Sequence, residues 1–589
     1  MVGAFALTMP VVRIDIPSKS GLPDMWDAIQ PSFPMPSPRK YQDDALSVVW
    51  WALDNDDFDN VVIEAPTGIG KSAIAMTVQS RFQSAYLLSP SLGLSDQYKR
   101  DYGHVLKEVR GRSNFPCWVK SGTASGAPCY VAGKRCPHSK EGDDACPYYA
   151  QKFDAKNARL TLSNPAYLFR VVQSPDGAFD QRDFAIIDEA HQLEPFFMGL
   201  MEVVILHSDY TEVFGAKFPF PMHYHPADWK TDIQKLLTGA QRTLSVADTD
   251  KDEDKQESMR TIIGKCSTLL ELLENPNDVV IESDKDFRGK RRIVAKPVRV
   301  SKLAPDKLDS ISRKRIMLSA TVLDIDTFLA GLGLSNQRTL FVRVTKSPFP
   351  RENFNVHLAP CGPMSYSRRD ASVKRQIKAI AAIMRRNEHK RGVILPHTHA
   401  IRKAIVAGLE EEGLGDRLIT HDSNGQARTL ALDKFFKSER DDLVLISTYV
   451  GEGFDFKGRL AEWLVIAKVP FPFTPDPQIK QRMEQDEHEW RREHEGSPNC
   501  PYEPPNKYSG NLCSSFTCIK PCQRWFNLQV ALRLIQGAGR INRTPDDVGH
   551  LFILDGSFDR YYRQNAHLFP AWFKNAMKPP PPWLKRHLN

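Results

Sequence analysis

The segment APTGIGKS at 65–72 has the residue types and spacing of a phosphate-binding loop (Walker A). It follows an apolar run, and its glycines allow backbone N–H groups to turn toward phosphate oxygens. Lys71 can reach the β- and γ-phosphates, and the Ser72 hydroxyl can bind Mg²⁺. Ala65 stands where the general pattern has its first glycine. The segment predicts a nucleoside triphosphate site whose binding residues are Thr67, Gly68, Gly70, Lys71 and Ser72.

Two further segments supply groups that triphosphate hydrolysis needs. IIDEAH at 186–191 ends another apolar run, where open α/β sheets bind their ligands. Its Asp188 can hold the magnesium ion, and its Glu189 can polarise the attacking water. QGAGRINR at 536–543 has two arginines three residues apart, which share one face of a helix and suit developing phosphoryl charge. The predicted catalytic residues are Lys71, Asp188, Glu189, Gln536, Arg540 and Arg543.

Eight of the ten cysteines fall into two groups of four. No export signal is recognisable at the N-terminus, which favours reduced thiols or metal ligands over a disulfide framework. The second group, at 500–522, predicts a tetrahedral zinc site that stabilises a proline-rich insertion, with unliganded thiols as the alternative. The first group is Cys117, Cys129, Cys136 and Cys146, and the second is Cys500, Cys513, Cys518 and Cys522.

The composition is that of an ordinary globular protein, with 589 residues, 41% hydrophobic residues and a net charge of +8. A positive excess of this size suits a polyanion only where it is clustered. FRGKRR at 287–292 and YKRDYGH at 98–104 are the candidate contacts for such a partner, although stretches of this kind are more often solvated surface. No apolar run of 18 residues occurs, so we expect no membrane span and an intracellular, unsecreted protein.

Short β-branched runs, each followed by a loop rich in Gly, Pro, Ser or Thr, predict the elements that position these residues. Such runs fit strands buried on both faces of a parallel sheet, and the intervening helical segments predict two α/β domains. Halves of a nucleotide site in separate domains can couple hydrolysis to domain closure, as in an ATP-driven motor. The runs lie at 61–66, 85–90, 184–191, 315–321, 392–398, 443–449, 463–470 and 550–556.

These motifs, in this order, resemble the XPD/DinG family of DNA helicases in helicase superfamily 2, over residues 36–560. RKYQ at 39–42 is similar to the adenine-contacting region, with Gln42 as the reader of the base. SLGLSDQY at 91–98 resembles motif Ia, and SAT at 319–321 resembles motif III. YVGEGFDFKG at 449–458 resembles motif V, with Glu452 and Asp455 in matching places, and QGAGRINR resembles motif VI.

The resemblance implies two RecA-like motor domains with an iron–sulfur insertion and a mainly helical, arch-like insertion. It also implies that the first cysteine group holds a four-iron, four-sulfur cluster, with zinc as the alternative. The expected domains are an N-terminal extension (1–35), motor domain 1 in three parts (36–109, 151–195 and 311–345), the iron–sulfur domain (110–150), the arch-like insertion (196–310), and motor domain 2 (346–589) with a Cys-rich insertion at 484–523.

The implied function is that of an ATP-dependent DNA helicase that moves 5′ to 3′ on single-stranded DNA. Its expected cofactors are ATP, Mg²⁺, the 4Fe–4S cluster and Zn²⁺ at the second cysteine group. Its expected partners are single-stranded DNA, DNA forks and loading proteins, and we expect a monomer. DNA repair, replication, recombination and mobile-element roles all fit. An RNA-directed DEAH-type helicase and a nucleic-acid-binding scaffold with a degenerate motor are the alternatives.

Overall fold

The computed structural model describes most of the chain. The described residues are 11–17, 24–54, 58–127, 129, 136–142, 144–172, 179–246, 253–286, 289–335, 337–365, 367–422, 425–448, 456, 458–493, 523–541 and 546–588.

Each of the eight predicted apolar runs contains a strand, which confirms this part of the sequence analysis. The strands are β1 (Val11–Ile16), β2 (Asn60–Glu64), β3 (Ala85–Leu88), β4 (Lys107–Val109), β5 (Leu160–Ser163), β6 (Phe184–Ile187), β7 (Val203–Leu206), β8 (Val279–Lys285), β9 (Arg291–Pro297), β10 (Arg315–Ser319), β11 (Thr339–Val344), β12 (Phe354–Leu358), β13 (Gly392–Leu395), β14 (Leu418–Thr420), β15 (Val444–Ile446), β16 (Trp463–Ile466), β17 (Gly549–Ile553) and β18 (Met577–Lys578).

The helices lie between these strands, as crossover connections of parallel sheets require. They are α1 (Trp26–Ile29), α2 (Gln42–Asp54), α3 (Lys71–Gln79), α4 (Leu92–Tyr102), α5 (Pro147–Asn157), α6 (Pro165–Val172), α7 (Leu193–Leu200), α8 (His207–Phe214), α9 (Trp229–Val246), α10 (Glu253–Leu272), α11 (Ala304–Ile311), α12 (Ile325–Gly331), α13 (Arg369–Arg386), α14 (His399–Glu411), α15 (Gly425–Lys437), α16 (Pro477–Glu493), α17 (Arg524–Ala538), α18 (Ser557–Asn565), α19 (Ala571–Ala576) and α20 (Pro582–Lys585).

Two parallel sheets form the predicted pair of RecA-like domains. The first has the strand order β1-β11-β2-β10-β6-β3-β5-β4, and the second has the order β14-β15-β13-β16-β17-β12-β18. Every pairing between neighbouring strands of these two sheets is parallel. Buried apolar clusters cover both faces of each sheet, which explains why the strands read as continuous apolar runs.

The N-terminal residues contribute directly to the first sheet. β1 lies within the segment that the sequence analysis assigned to an extension at 1–35, yet it pairs in parallel with β11 along its whole length. β1 lies at the edge of the sheet and only its last residue, Ile16, is buried, which explains why it lacks a continuous apolar run.

The insertion at 196–310 is helical, with α9 and α10 as its longest helices, but it also contains an antiparallel sheet that the sequence did not predict. This sheet has the order β7-β9-β8 and packs against α10. β8 and β9 carry charged residues, so these two strands lack the continuous apolar runs of the motor strands, whereas β7 is a short apolar run (VVIL). The insertion has its own apolar core, centred on Trp229 and the buried faces of α9 and α10.

None of the helices in the described residues is both long and apolar enough to span a bilayer.

Candidate nucleotide-hydrolysing site

The phosphate-binding loop connects β2 to α3, which begins at Lys71. Gly68 and Gly70 have φ angles of +90° and +87°, in the left-handed region that glycine adopts at low cost. A Cβ atom at Gly68 would lie 2.4 Å from the ring of Phe349, so only glycine fits beneath this ring. The Lys71 ammonium donates to the Ala65 carbonyl oxygen at 3.1 Å, which holds the side chain across the loop.

Gln42 lies against this loop. Its side-chain N–H donates to the Gly70 carbonyl at 3.0 Å, and its side-chain oxygen accepts the Arg39 backbone N–H at 2.9 Å. The Arg39 guanidinium donates to the Gly68 carbonyl at 2.7 Å. The RKYQ segment therefore supports the phosphate-binding loop from one side, with the Gln42 side chain buried against it.

The DEAH segment lies beside the loop because of strand order. β10 separates β2 from β6, and all three strands run in parallel, so their carboxyl ends meet at one edge of the sheet. Asp188 follows β6 and is 7% exposed. Its carboxylate accepts the Tyr98 hydroxyl at 2.8 Å and the Glu189 backbone N–H at 2.9 Å.

The pKa of Asp188 reflects its burial and the charged and polar groups around it. Burial and the neighbouring Glu189 carboxylate raise the pKa of Asp188 to about 6, while Lys71 and the Tyr98 hydroxyl oppose the shift. Lys71, Asp188 and Glu189 thus form one electrostatic unit, which a divalent cation would stabilise.

Motif III (SAT, 319–321) lies at the same edge of the sheet, because it begins at the last residue of β10. The His191 ring nitrogen Nδ1 lies 2.9 Å from the Ser319 hydroxyl and 3.4 Å from a Glu189 carboxylate oxygen. Glu189 itself has φ +49°, an unfavourable value for a residue with a side chain. The contacts of His191 therefore connect the DEAH segment with the SAT segment.

The groups predicted from motif VI lie in the second domain. Gln536 is in the last turn of α17, and Arg540 follows the helix and is buried. Arg543, Glu452 and Asp455 lie outside the described residues, so their predicted roles stay predictions.

The first cysteine group lies between β4 and α5. The Cys129 sulfur is 3.7 Å from the Arg112 guanidinium, which also stacks on Tyr148 at 4.2 Å. Burial raises the pKa of the Cys136 thiol, and the nearby thiols of Cys129 and Cys146 raise it further, so these three side chains are neighbours. Thiols are the ligand type of a thiolate-bound centre, and the positive charge of Arg112 lies beside one of them.

Within the described residues, however, no group of three or more His, Cys, Asp or Glu side chains is arranged to hold a metal ion. The Cys117 sulfur accepts the Lys120 backbone N–H at 3.4 Å. Every member of the second group, Cys500, Cys513, Cys518 and Cys522, lies outside the described residues.

The basic stretches predicted as nucleic-acid contacts are largely engaged in the protein. In the stretch at 98–104, Tyr98 and Tyr102 are 1% and 3% exposed, so neither ring is available for base stacking. Lys99 pairs with Glu108 at 2.8 Å. In the stretch at 287–292, Arg292 pairs with Asp284 across the β8–β9 hairpin at 2.6 Å.

The sequence analysis gave no role at the nucleotide site to three residues that the structure places there. They are Tyr98, which holds Asp188, Phe349, which covers Gly68, and Glu64, which binds the loop after motif III. Tyr98 ends the segment SLGLSDQY, so its place in that motif was the one available signal. The other two act across 250 or more residues of sequence, and no local pattern marks them.

Comparison with known proteins agrees with this geometry. Residues 35–204 match the family model described as type III restriction enzyme, res subunit, and residues 380–576 match the model described as helicase C-terminal domain. No curated protein sequence matches the chain.

Solved XPD structures share the fold of most of the chain. One XPD helicase matches with 16% identity and a TM-score of 0.59, covering 92% of this chain and 100% of the other. S. tokodaii Xpd4 matches with 14% identity and a TM-score of 0.53 over the same shares. An apo XPD structure matches with 16% identity and a TM-score of 0.54, covering 91% and 99% of the two chains. Residues 380–576 thus match a helicase C-terminal domain, and most of the chain shares the fold of solved XPD structures.

Proposed function

We propose that this helicase acts on single-stranded DNA, translocates 5′ to 3′, and couples ATP hydrolysis to the unwinding of duplexes at DNA forks. The observation that carries the choice of DNA is the cysteine group at 117–146, inserted between α4 and α5 of an XPD-like fold. Four cysteines in such a segment are the soft ligand set of an iron–sulfur centre. The DNA helicases that the chain resembles have this insertion, whereas an RNA-directed DEAH-type helicase does not require it.

In the proposed hydrolysis, backbone N–H groups of the loop at 66–71 receive the phosphates, and Lys71 neutralises the β- and γ-phosphate oxygens. Ser72 and Asp188 would hold Mg²⁺, which supplies charge neutralisation when bound. Glu189 orients the attacking water and accepts its proton.

Further proposed contacts come from the edges of the two domains. Gln42 would contact the adenine, since its amide already borders the phosphate-binding loop. From the second domain, the proposed residues for binding the nucleotide and stabilising developing phosphoryl charge are Glu452, Asp455, Gln536, Arg540 and Arg543.

The thiols of Cys117, Cys129, Cys136 and Cys146 would hold the 4Fe–4S cluster. Its proposed role is structural, because the apolar core around Cys146 contains few other buried side chains. The guanidinium of Arg112, stacked on Tyr148 beside Cys129, would offset the charge of the ligand set. For the second group, Cys500, Cys513, Cys518 and Cys522, we propose a zinc site.

ATP turnover in the presence of defined nucleic acids tests the choice of partner. Single-stranded DNA should raise the rate at least about tenfold, and single-stranded RNA of the same sequence should not. Lys71→Ala should abolish turnover, yet keep much of the strand binding, because its side chain contacts phosphates of the nucleotide alone. Stimulation by RNA but not by DNA would support the RNA-directed alternative. Strand binding without any turnover in the wild-type protein would support the scaffold.

A further inference from the structure

A buried group of three side chains, Glu194, Arg482 and Trp525, lies where the two motor domains meet. Glu194 is on the first turn of α7, five residues after Glu189 of the DEAH segment, and is 8% exposed. Arg482 and Trp525 belong to α16 and α17 of the second domain, and both are buried. This group, here termed the interdomain joint, has no part in the nucleotide contacts described above.

Each member of the joint contacts the other two. The Trp525 indole N–H donates to one Glu194 carboxylate oxygen at 3.0 Å, and the Arg482 guanidinium lies 3.2 Å from the other. The Arg482 guanidinium also stacks over the Trp525 ring, 4.9 Å from its centroid. Among the described residues, the Glu194 oxygen next to Arg482 has this ion-pair contact but no hydrogen-bond partner, so loss of either neighbour leaves the buried carboxylate poorly paired.

The surrounding backbone leaves this carboxylate little freedom. A Cβ atom at Gly331, the last residue of α12, would lie 2.8 Å from a Glu194 carboxylate oxygen. The side chain is therefore enclosed by α12 on its own domain and by the two helices of the other.

Arg482 also connects the joint to the insertion. It donates to the Val298 carbonyl at 3.2 Å, directly after β9. On the next turn of α16, Asp486 pairs with Arg299 at 2.5 Å, and Gln478 on the preceding turn donates to the Pro297 carbonyl at 2.5 Å. One face of α16 is thus fixed to the insertion and to the DEAH-bearing domain together.

The opposite end of α17 carries Gln536 and leads to Arg540. Gln536 is eleven positions after Trp525 on the same helix, which places the two residues about 16 Å apart along the helix axis. Because a helix moves as a unit, the contact at Trp525 sets where its other end lies.

We propose that Glu194, Arg482 and Trp525 are positioning residues, which fix α17 relative to the DEAH segment so that motif VI reaches the nucleotide during turnover. This inference rests on the proposed role of Arg540 in hydrolysis. Through Arg482, the same joint transmits movement of the motor domains to the insertion.

Two conservative variants test the joint, Trp525→Phe, which keeps an aromatic ring but removes the N–H, and Glu194→Gln, which keeps the shape but removes the charge. Each should lower kcat of DNA-stimulated ATP hydrolysis about tenfold and leave KM for ATP within about twofold, since a displaced arginine helix weakens the transition state and not nucleotide binding. The double variant should be no worse than either single variant, as expected for groups that act together.

Trp463→Phe is the matched control. Its indole N–H donates to the Lys390 carbonyl at 3.2 Å, entirely within the second domain, so the substitution removes the same kind of bond without touching the joint. We expect kcat and KM to stay near wild type. An equal loss of kcat in this control, a rise in KM alone, or independent effects in the double variant would overturn the proposal.

A second test, amide hydrogen exchange, can be carried out without nucleic acid. A non-hydrolysable ATP analogue with Mg²⁺ should slow amide hydrogen exchange in 524–538 and 293–300 of the wild-type protein, but not in Glu194→Gln. Should Trp525→Phe fail to fold, Arg482→Lys carries the same expectation, because it keeps the charge and removes the planar fork. An unstimulated wild-type ATPase would contradict the proposed function, whereas the same analogue-induced slowing of exchange in the variants as in the wild-type protein would contradict the joint.

Discussion

At the residue scale, the site depends on a carboxylate held in an unfavourable setting. Asp188 is buried beside Glu189, and only the Tyr98 hydroxyl, the Glu189 N–H and the charge of Lys71 offset the cost. The result is a pKa of about 6 for Asp188, raised from the ordinary value of an aspartate. A divalent cation would be bound strongly there, since it relieves the repulsion between the two carboxylates.

The raised pKa of Asp188 predicts a pH dependence of Mg²⁺ binding. Protons and Mg²⁺ compete for this carboxylate, so below about pH 6 the apparent Mg²⁺ affinity of the metal-free protein should fall, approaching tenfold per pH unit. Above about pH 6 the apparent Mg²⁺ affinity should no longer change with pH. Titrations of Mg²⁺ in the presence of ATP, followed by turnover at several pH values, measure this. Asp188→Asn should bind Mg²⁺ weakly at every pH, and a steep pH dependence in that variant would assign the titration to another group.

The cysteines are tested by metal content. Protein purified without oxygen should contain about four irons per chain and show a broad visible absorption band. Cys136→Ser should lose iron and strand unwinding, while basal ATP hydrolysis falls less, because the cluster stabilises a segment apart from the phosphate-binding loop. One additional zinc would match the second cysteine group. Zinc alone, even after reconstitution with iron and sulfide, would refute the cluster.

At the scale of elements, β2 is bound to the loop after motif III through Glu64. One Glu64 carboxylate oxygen accepts the backbone N–H groups of Val322 and Leu323 at 3.0 and 2.9 Å. The other accepts from Arg343 at 2.6 Å, and Arg343 in turn donates to the Leu323 carbonyl at 2.9 Å. Leu323 has φ +62° and packs into an apolar core of the second domain. Glu64 thus holds a strained loop that reaches across the domain boundary.

Glu64→Ala should release this loop. Two buried N–H groups would lose their acceptor, at a local cost of about 2 kcal/mol, which corresponds to about thirtyfold faster amide exchange at Val322 and Leu323. Glu64→Gln should have a smaller effect, because its amide oxygen can still accept both bonds. Asp559→Ala, which removes an exposed ion pair on α18, is the control and should leave this exchange unchanged. Wild-type exchange in Glu64→Ala would show that the loop is held by its packing alone.

The sequence predicted these elements to different extents. Motor strands such as β2 and β6 were predictable, because burial on both faces requires continuous apolar runs. β1, β8 and β9 were not, since each mixes apolar with charged residues and has a more exposed face. Asp188 and Lys71 were predictable from spacing to neighbouring residues. Glu64, Glu194 and Phe349 were not, because each acts through tertiary contacts to distant parts of the chain.

At the scale of the whole molecule, the two RecA-like domains share contacts that could transmit a change at the nucleotide. The loop after motif III enters the core of the second domain through Leu323, and the interdomain joint binds α7 to α16 and α17. α16 extends these contacts to the insertion through Arg299. A chain with these connections can convert domain closure into movement of the insertion, which is what unwinding by a motor requires.

Strand displacement tests the central claim, an ATP-driven DNA motor, most directly. A labelled DNA duplex with a single-stranded tail of either polarity is incubated with ATP, Mg²⁺ and either wild-type protein or Lys71→Ala. The account predicts that wild-type protein displaces the strand from the duplex with the 5′ tail and that Lys71→Ala displaces neither. Displacement of neither DNA strand by an ATPase-active wild-type protein, or equal displacement by Lys71→Ala, would contradict it.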